Sequence, residues 1–324
     1  MEKYLSCRYI EHGIDFEHLR LTTCCFTCHQ GGGGIDLIEK YRGESIDWQE
    51  IFDKKRIFRK EHRNHNLSPK CMGCIFLEEK EWDEEDYINF LQFNHWIACN
   101  SNCTYCYAVQ NREFYKKVIP YNVVPVIKDM IEKGILKPGG EVSFGGGEPT
   151  IHSDFEELIH ILTDNNFYNM RIHSSGIKYS PAIERAIKEG LLNVVVSIDS
   201  ATPQTYKRIK QVDCYNTVLK NLEKYAAANT KDWGLMTSKY IIIPNVNDNI
   251  NEIEKWIQQT YNIGGRWLAL DIEDVWYKMN RSTISDYYLK LIDYVINRAN
   301  ELGMRWELYD RARSLKEGKN KLIC

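Results

Sequence analysis

Asn89-Phe-Leu-Gln-Phe-Asn-His-Trp96, a short apolar and aromatic run, leads into Cys99-Asn-Ser-Asn-Cys103-Thr-Tyr-Cys106-Tyr107. The run reads as a buried strand and the cysteine segment as the loop at its end. Three thiolates spaced four and three residues apart on one loop can fold over a small metal–sulfur core. Three ligands rather than four leave one iron free to bind something else. Half of a zinc site is the plain alternative, but zinc needs a fourth ligand and usually pairs its cysteines as Cys-x-x-Cys. Chance clustering of three cysteines is the other.

Outward from this loop the chain alternates. Short apolar or β-branched runs bounded by Gly, Pro or Asn stand at Glu141–Phe144, Met170–His173, Asn193–Ile198, Lys239–Ile243 and Arg266–Leu270. Helical patterns lie between them. Phe155, Leu158, Ile159 and Leu162 share a face behind a capping box of Ser153 and Glu156. Ser180 and Pro181 read as an N-cap and first helical position, with Gly190 as the stop. Val218, Leu219, Leu222 and Tyr225 form another face, as do Ile250, Ile253 and Ile257, then Tyr288, Leu291, Val295, Ala299 and Leu302. Strand–helix units in series predict right-handed crossovers and a parallel sheet, an α/β fold either open or curled into part of a barrel. Ligands gather beyond the carboxyl ends of such strands.

The cysteine spacing, with aromatic Tyr105 before the last cysteine, resembles the signature of the radical S-adenosylmethionine (radical SAM) superfamily. Gly146-Gly147-Glu148-Pro149, ending the second strand, resembles that family's GGEP segment, which holds the methionine amino group of SAM. Glycines let the backbone approach closely, and a carboxylate pairs with an ammonium. Ser174-Ser175-Gly176 stands where the family has a polar turn. Ser197 and Asp199 resemble its polar pair near the ribose and carboxylate, and Arg208 stands where relatives place an arginine for the SAM carboxylate. The plain alternatives are a helix cap at Ser174 and a solvated helix face at Arg208; Asn245 reads as a turn residue.

The resemblance runs from roughly Asn89 to Leu302. It implies a partial (βα)6 TIM barrel over residues 86–310 and a [4Fe–4S] cluster on Cys99, Cys103 and Cys106. SAM would bind the open iron, with contacts from Tyr105, Gly146, Gly147, Glu148, Ser174, Ser197, Asp199 and Arg208. It also implies one-electron cleavage of SAM to methionine and a 5′-deoxyadenosyl radical that abstracts hydrogen.

Residues 1–85 differ in character. Six of the eleven cysteines lie there: Cys7, Cys24, Cys25, Cys28, Cys71 and Cys74. Cys7 precedes a strand pair across His12–Phe26, a helix covers Trp48–Arg63, and Cys71-Met-Gly-Cys74 closes the segment. Four thiolates complete a cluster with no open iron. The order resembles the SPASM/twitch extension of radical SAM enzymes, here preceding the barrel rather than following it. It implies a small cysteine-rich α+β domain with an auxiliary [4Fe–4S] cluster on Cys7, Cys24, Cys71 and Cys74. Adjacent strand residues face opposite sides, so Cys24 and Cys25 do not share a cluster, and Cys24 fits the pattern better. Structural zinc on Cys25, Cys28, Cys71 and Cys74 is the competing reading. His29 reads as a loop residue.

The chain has 324 residues, 43% hydrophobic and 27% charged, with a formal net charge of −3, which argues against nucleic acid or a membrane surface as partner. Residues 1–15 lack the cationic and apolar regions of a signal peptide, so a cytoplasmic protein is expected. A reducing cytosol keeps clustered cysteines available as metal ligands. Glu78–Asp86 reads as a linker and residues 311–324 as a tail. Lys54, Lys55, Arg56, Arg59 and Lys60 read as a solvated helix face, Cys214 as a small buried hydrophobe, and Asp271 and Glu273 as candidate substrate contacts. The expected partners are a peptide or small-molecule substrate and a flavodoxin- or ferredoxin-type electron donor. A non-catalytic iron–sulfur protein is the alternative from another class, but an electron carrier has no need of a GGEP-like grip on an amino acid.

Overall fold

The computed structural model describes residues 3–24, 34–72, 74, 76–111, 113, 120–231, 234–280 and 283–318. The front end contains β1 (Tyr4–Ser6), α1 (Arg8–His12), β2 (Gly13–Glu17), β3 (Leu21–Thr22), β4 (Asp36–Ile38), α2 (Trp48–Arg63) and β5 (Glu78–Lys80). Alternation follows: β6 (Ile88–Asn94), α3 (Tyr107–Gln110), α4 (Val124–Glu132), β7 (Leu136–Phe144), α5 (Phe155–Asp164), β8 (Asn169–Ser174) and α6 (Pro181–Lys188). It continues through β9 (Leu192–Ser197), α7 (Pro203–Lys210), α8 (Tyr215–Ala228), β10 (Met236–Ile242), α9 (Ile250–Asn262) and β11 (Trp267–Ile272). The chain ends with α10 (Asp274–Asn280), α11 (Asp286–Glu301), β12 (Arg305–Leu308) and α12 (Asp310–Lys316).

Ten strands form one sheet in the order β12-β11-β10-β9-β8-β7-β6-β2-β3-β4. Every pairing from β6 to β12 is parallel, as the crossovers require. Alternation along the strands separates two faces. Leu91, Phe93, Val142, Phe144, Ile172, Val194, Val196 and Leu270 belong to the core shared with the helices. Their neighbours Gln92, Ser143, Arg171, His173, Ser197, Lys239 and Asp271 take the opposite, polar face. That face is concave. Arg171 on β8 donates to the hydroxyl of Tyr309, just past β12, at 2.8 Å. Four strand spacings in a flat sheet would hold those strands roughly 19 Å apart. The sheet curls as a partial barrel must.

Several expectations give way to tertiary contacts. The front end does not stand apart from the barrel: β2 pairs in parallel with β6, from Gly13 opposite Phe90 to Glu17 opposite Asn94, and β3 and β4 extend the same sheet. The supposed linker contributes β5, antiparallel to β1. The supposed tail starts with α12, whose Ala312 and Ser314 are buried. The Ser153–Glu156 capping box does not form: Ser153 Oγ bonds Asp154, and Glu156 accepts the backbone N–H of Ala182 on the next helix. By contrast Ser180 Oγ accepts the N–H of Ile183 with Pro181 at the helix start, as its local chemistry predicts.

Helix α2 covers the expected residues, but its basic face is not solvated. Lys55 is fully buried and its Nζ donates to the carbonyls of Tyr9, Ile10 and Gly13 at 3.2, 3.1 and 2.7 Å. Those carbonyls lie at the end of α1 and the start of β2; Tyr9 O also accepts the N–H of Gly13, and the ammonium adds a donor that the helix end alone does not supply. Arg59, also buried, pairs with buried Glu11 at 3.1 Å and donates to its backbone carbonyl at 2.8 Å. Burial, with Arg59 adjacent, pulls the Lys55 ammonium down to about 7.

Candidate active site

The cysteine loop leaves the carboxyl end of β6 and is tied to its surroundings by backbone. Asn102 N–H donates to Lys210 O at 2.9 Å and Thr104 N–H to Ile209 O at 3.0 Å, fastening the loop to the end of α7. Ser175 Oγ donates to Asn100 Oδ1 at 2.9 Å, adding a tie to the turn after β8. Ser101 Oγ lies 3.3 Å from Cys99 Sγ and 3.4 Å from Cys103 Sγ, so one hydroxyl touches both sulfurs. Cys99, Cys103 and Cys106 line a single cavity of about 450 Å³ together with His95, Gly146 and Gly147.

The GGEP segment runs against the start of that loop. Gly147 N–H donates to Trp96 O at 2.9 Å and Glu148 N–H to Ala98 O at 2.8 Å. A Cβ at Gly147 would meet Ala98 O at 2.2 Å, and Gly146, at φ +81°, would put one 2.5 Å from Trp96 O. Only glycine allows this approach. Glu148 is buried. Its Oε1 accepts from Thr150 N (3.2 Å), Thr150 Oγ1 (2.6 Å) and Ser174 Oγ (2.9 Å), and its Oε2 accepts from Ser175 N (2.5 Å). The carboxylate therefore joins the GGEP loop to the Ser174–Ser175 turn. Ser174 does not cap a helix; it accepts the N–H of Gly176 at 3.0 Å.

Tyr105 and Asp199 come together as a buried network. Tyr105 Oη donates to Asp199 Oδ2 at 2.5 Å, Lys210 Nζ bonds the same oxygen, and Ile241 N–H donates to Oδ1 at 2.7 Å. Lys210 Nζ also reaches Tyr105 Oη at 2.9 Å. Burial works against the Lys210 ammonium, but Asp199 and Tyr105 hold its pKa well above the ordinary lysine value. Asp199 therefore anchors the cysteine loop. Ser197 ends β9 on the concave face, opposite Lys239. Arg208 lies exposed on α7, two residues from the lysine that occupies the interior. Asp271 and Glu273 are likewise engaged. Asp271 accepts the N–H groups of Arg311 and Ala312 at 3.1 and 3.2 Å, and Glu273 those of Val275 and Trp276 at 3.1 and 2.6 Å.

Motif reading missed His95. It is fully buried, and neither ring nitrogen has a hydrogen-bond partner among the described residues. Burial, then His152, holds its pKa well below the ordinary histidine value, so the ring is neutral. An unpaired buried polar group on a cavity wall is a place where a bound group can supply the missing partner.

In the front end, Cys7, Cys24, Cys71 and Cys74 line a second, smaller cavity with Tyr9, Ile10, Lys70, Phe76 and Leu77. Burial pushes the Cys7 and Cys71 thiols up to about 12. Cys25, Cys28 and His29 lie outside the described residues.

A profile of the radical SAM superfamily matches residues 93–257, half of the chain. Similar curated proteins include a GTP 3′,8-cyclase from Clostridium botulinum (strain Okra / Type B1), 27% identical over 189 residues and 56% of each chain. A probable GTP 3′,8-cyclase from Methanococcus maripaludis (strain C5) is 28% identical over 127 residues, 39% of this chain and 41% of that one. The chain spans about half the length of the first of these and less of the second. Among solved structures, Streptococcus suis SuiB bound to precursor peptide SuiA superposes with a TM-score of 0.52 at 11% identity, over 99% of this chain and 76% of that one. Native anSMEcpe with bound AdoMet and Cp18Cys peptide gives 0.50 at 16%, over 66% and 62%. At such identities the structures support the fold alone.

The chain belongs to the radical SAM superfamily, a family of enzymes. The family implies a [4Fe–4S] cluster and SAM, and the residues fit: three thiolates face a cavity whose volume lies in the range of small-molecule sites. Among the described residues, no helix is long and apolar enough to cross a membrane.

Proposed function

We propose that this chain is a radical enzyme that holds a [4Fe–4S] cluster on Cys99, Cys103 and Cys106 and acts on a peptide or small-molecule substrate, peptide modification being slightly favoured. The observation that carries the reading is the convergence of those three cysteines with Gly146 and Gly147 around one cavity. When bound, the reduced cluster with SAM at its open iron supplies the 5′-deoxyadenosyl radical that abstracts hydrogen. The protein's part is to hold and enclose. The Tyr105–Asp199–Lys210 network fixes the loop that carries the thiolates, and Glu148 fixes the two turns beside it. Gly146 and Gly147 allow that packing, Ser174 braces Glu148 at the carboxyl end of β8, and Ser197 stands at the carboxyl end of β9.

The same reading assigns Cys7, Cys24, Cys71 and Cys74 to an auxiliary [4Fe–4S] cluster in a SPASM/twitch-like front end, supported by their common cavity. It takes the protein as cytoplasmic, served by a flavodoxin- or ferredoxin-type donor. The small-molecule option draws on the relatives named GTP 3′,8-cyclase.

Anaerobic reconstitution followed by metal analysis and reduction with SAM tests these assignments. The expected result is about eight irons per chain and formation of 5′-deoxyadenosine. About four irons with one zinc overturns the auxiliary cluster, and no 5′-deoxyadenosine overturns the radical chemistry.

A further inference from the structure

At the amino ends of the strands, opposite the cysteine loop, the sheet closes on another cavity of about 380 Å³. Asn169, Arg171, Gly190, Asn193, Trp267 and Arg305 contribute to its walls. It shares no lining residue with the cavity of Cys99, Cys103 and Cys106. Three observations about this lower mouth agree.

First, Trp267 Nε1 and Arg171 Nε are both buried N–H donors with no acceptor among the described residues. Glu307 bonds Arg171 through Nη2, as does the Tyr309 hydroxyl, which leaves Nε unmatched. Buried donors are normally paired, so two orphans on one wall mark a missing acceptor. Second, two guanidinium groups converge on the same indole. Arg305, directly across from Trp267 in the β11–β12 register, holds its Cζ 5.0 Å from that ring, and Arg171 approaches from β8 at 6.0 Å. Third, the described lining residues include no aspartate or glutamate.

We propose that this lower mouth is an anion-binding site for a small molecule carrying a phosphate or carboxylate group. The anion's oxygens accept from Trp267 Nε1 and Arg171 Nε, and Arg305 at the exposed rim adds positive charge. Charge-assisted bonds to a guanidinium suit either oxyanion. The site sits at the end of the barrel away from the cysteine loop, and its existence does not depend on the radical chemistry proposed above.

Calorimetric titration of the whole 324-residue chain, reconstituted, with inorganic phosphate and, separately, with succinate tests the assignment and separates phosphate from carboxylate. Trp267→Phe keeps an aromatic ring at the site while removing the indole N–H, which has no partner among the described residues, and its urea midpoint against the wild type checks that it folds. Arg305→Met changes an exposed residue. The expected result is saturable binding of at least one of the two anions, weakened about tenfold in each variant. Lys224→Met, an exposed change on α8, retains wild-type affinity. The proposal is overturned if neither anion binds, if Trp267→Phe and Arg305→Met bind as the wild type does, or if Lys224→Met weakens binding equally.

Discussion

The two groups of cysteines are built in opposite ways. Cys99, Cys103 and Cys106 come from one short loop and face a roomy cavity. Cys7, Cys24, Cys71 and Cys74 come from separated segments and meet in a small space packed by Tyr9, Ile10, Phe76 and Leu77. Three thiols beside open volume would suit a site where something else must bind. Four thiols within an apolar shell would suit a site that is complete in itself. The supports differ too. The loop hangs on one buried ion pair and a few backbone bonds, whereas the front-end group is backed by Lys55 and Arg59 threaded into the end of α1.

The sharpest break of this comparison is Cys103→Ala. It should abolish 5′-deoxyadenosine formation while the iron content falls by about four per chain and the front-end complement remains. Loss of all iron would mean that the two sites are not independent. Lys210→Met should come next, because it leaves Asp199 as an unpaired buried charge. A loss of about 3–5 kcal/mol is expected in urea unfolding, with the cysteine loop exchanging its amide hydrogens faster than the front end.

Two buried histidines, one in the front end and one at the cysteine cavity, predict a pH dependence. Burial, aided by Arg59 and Lys55, holds His12 in the front end down to about 4, and burial lowers His95 at the cysteine cavity well below its ordinary value. Both are neutral when folded, whereas the unfolded chain takes up protons below about 6.5. Stability is therefore full above that pH and falls toward pH 4, by up to about 1.4 kcal/mol per pH unit per histidine. Urea midpoints measured between pH 8 and 4 check this, and His12→Asn should flatten the slope. The smallest effect belongs to Arg208→Ala. The exposed side chain should be replaceable within about 0.5 kcal/mol and without change in SAM affinity. A tenfold weaker SAM affinity would restore the role that the family resemblance implies.

Much of this architecture was legible before folding. The strands from β6 to β11 and helix α2 fall on the expected segments, because buried parallel strands and capped amphipathic helices are written in local pattern. What failed did so where distant chain supplied the partner. Lys55 and Arg59 read as solvated charge, yet carbonyls at the end of α1 and Glu11 gave them buried partners. Ser153 and Glu156 have the spacing of a capping box, yet Glu156 found a better donor in the next helix. Asp271 looked open at the end of β11, but α12 uses it to satisfy its first N–H groups.

The amino-acid order alone determined the three-cysteine loop, the glycine pair after the second strand of the repeat and the parallel alternation around them, since each depends on residues a few positions apart. Tertiary structure alone decided that Lys210 rather than Arg208 enters the interior, and that β2 joins the barrel sheet. It also decided which donors at the lower mouth are left without acceptors. Each of these is a competition among groups far apart in the chain, settled by burial and hydrogen bonding that no local spacing encodes.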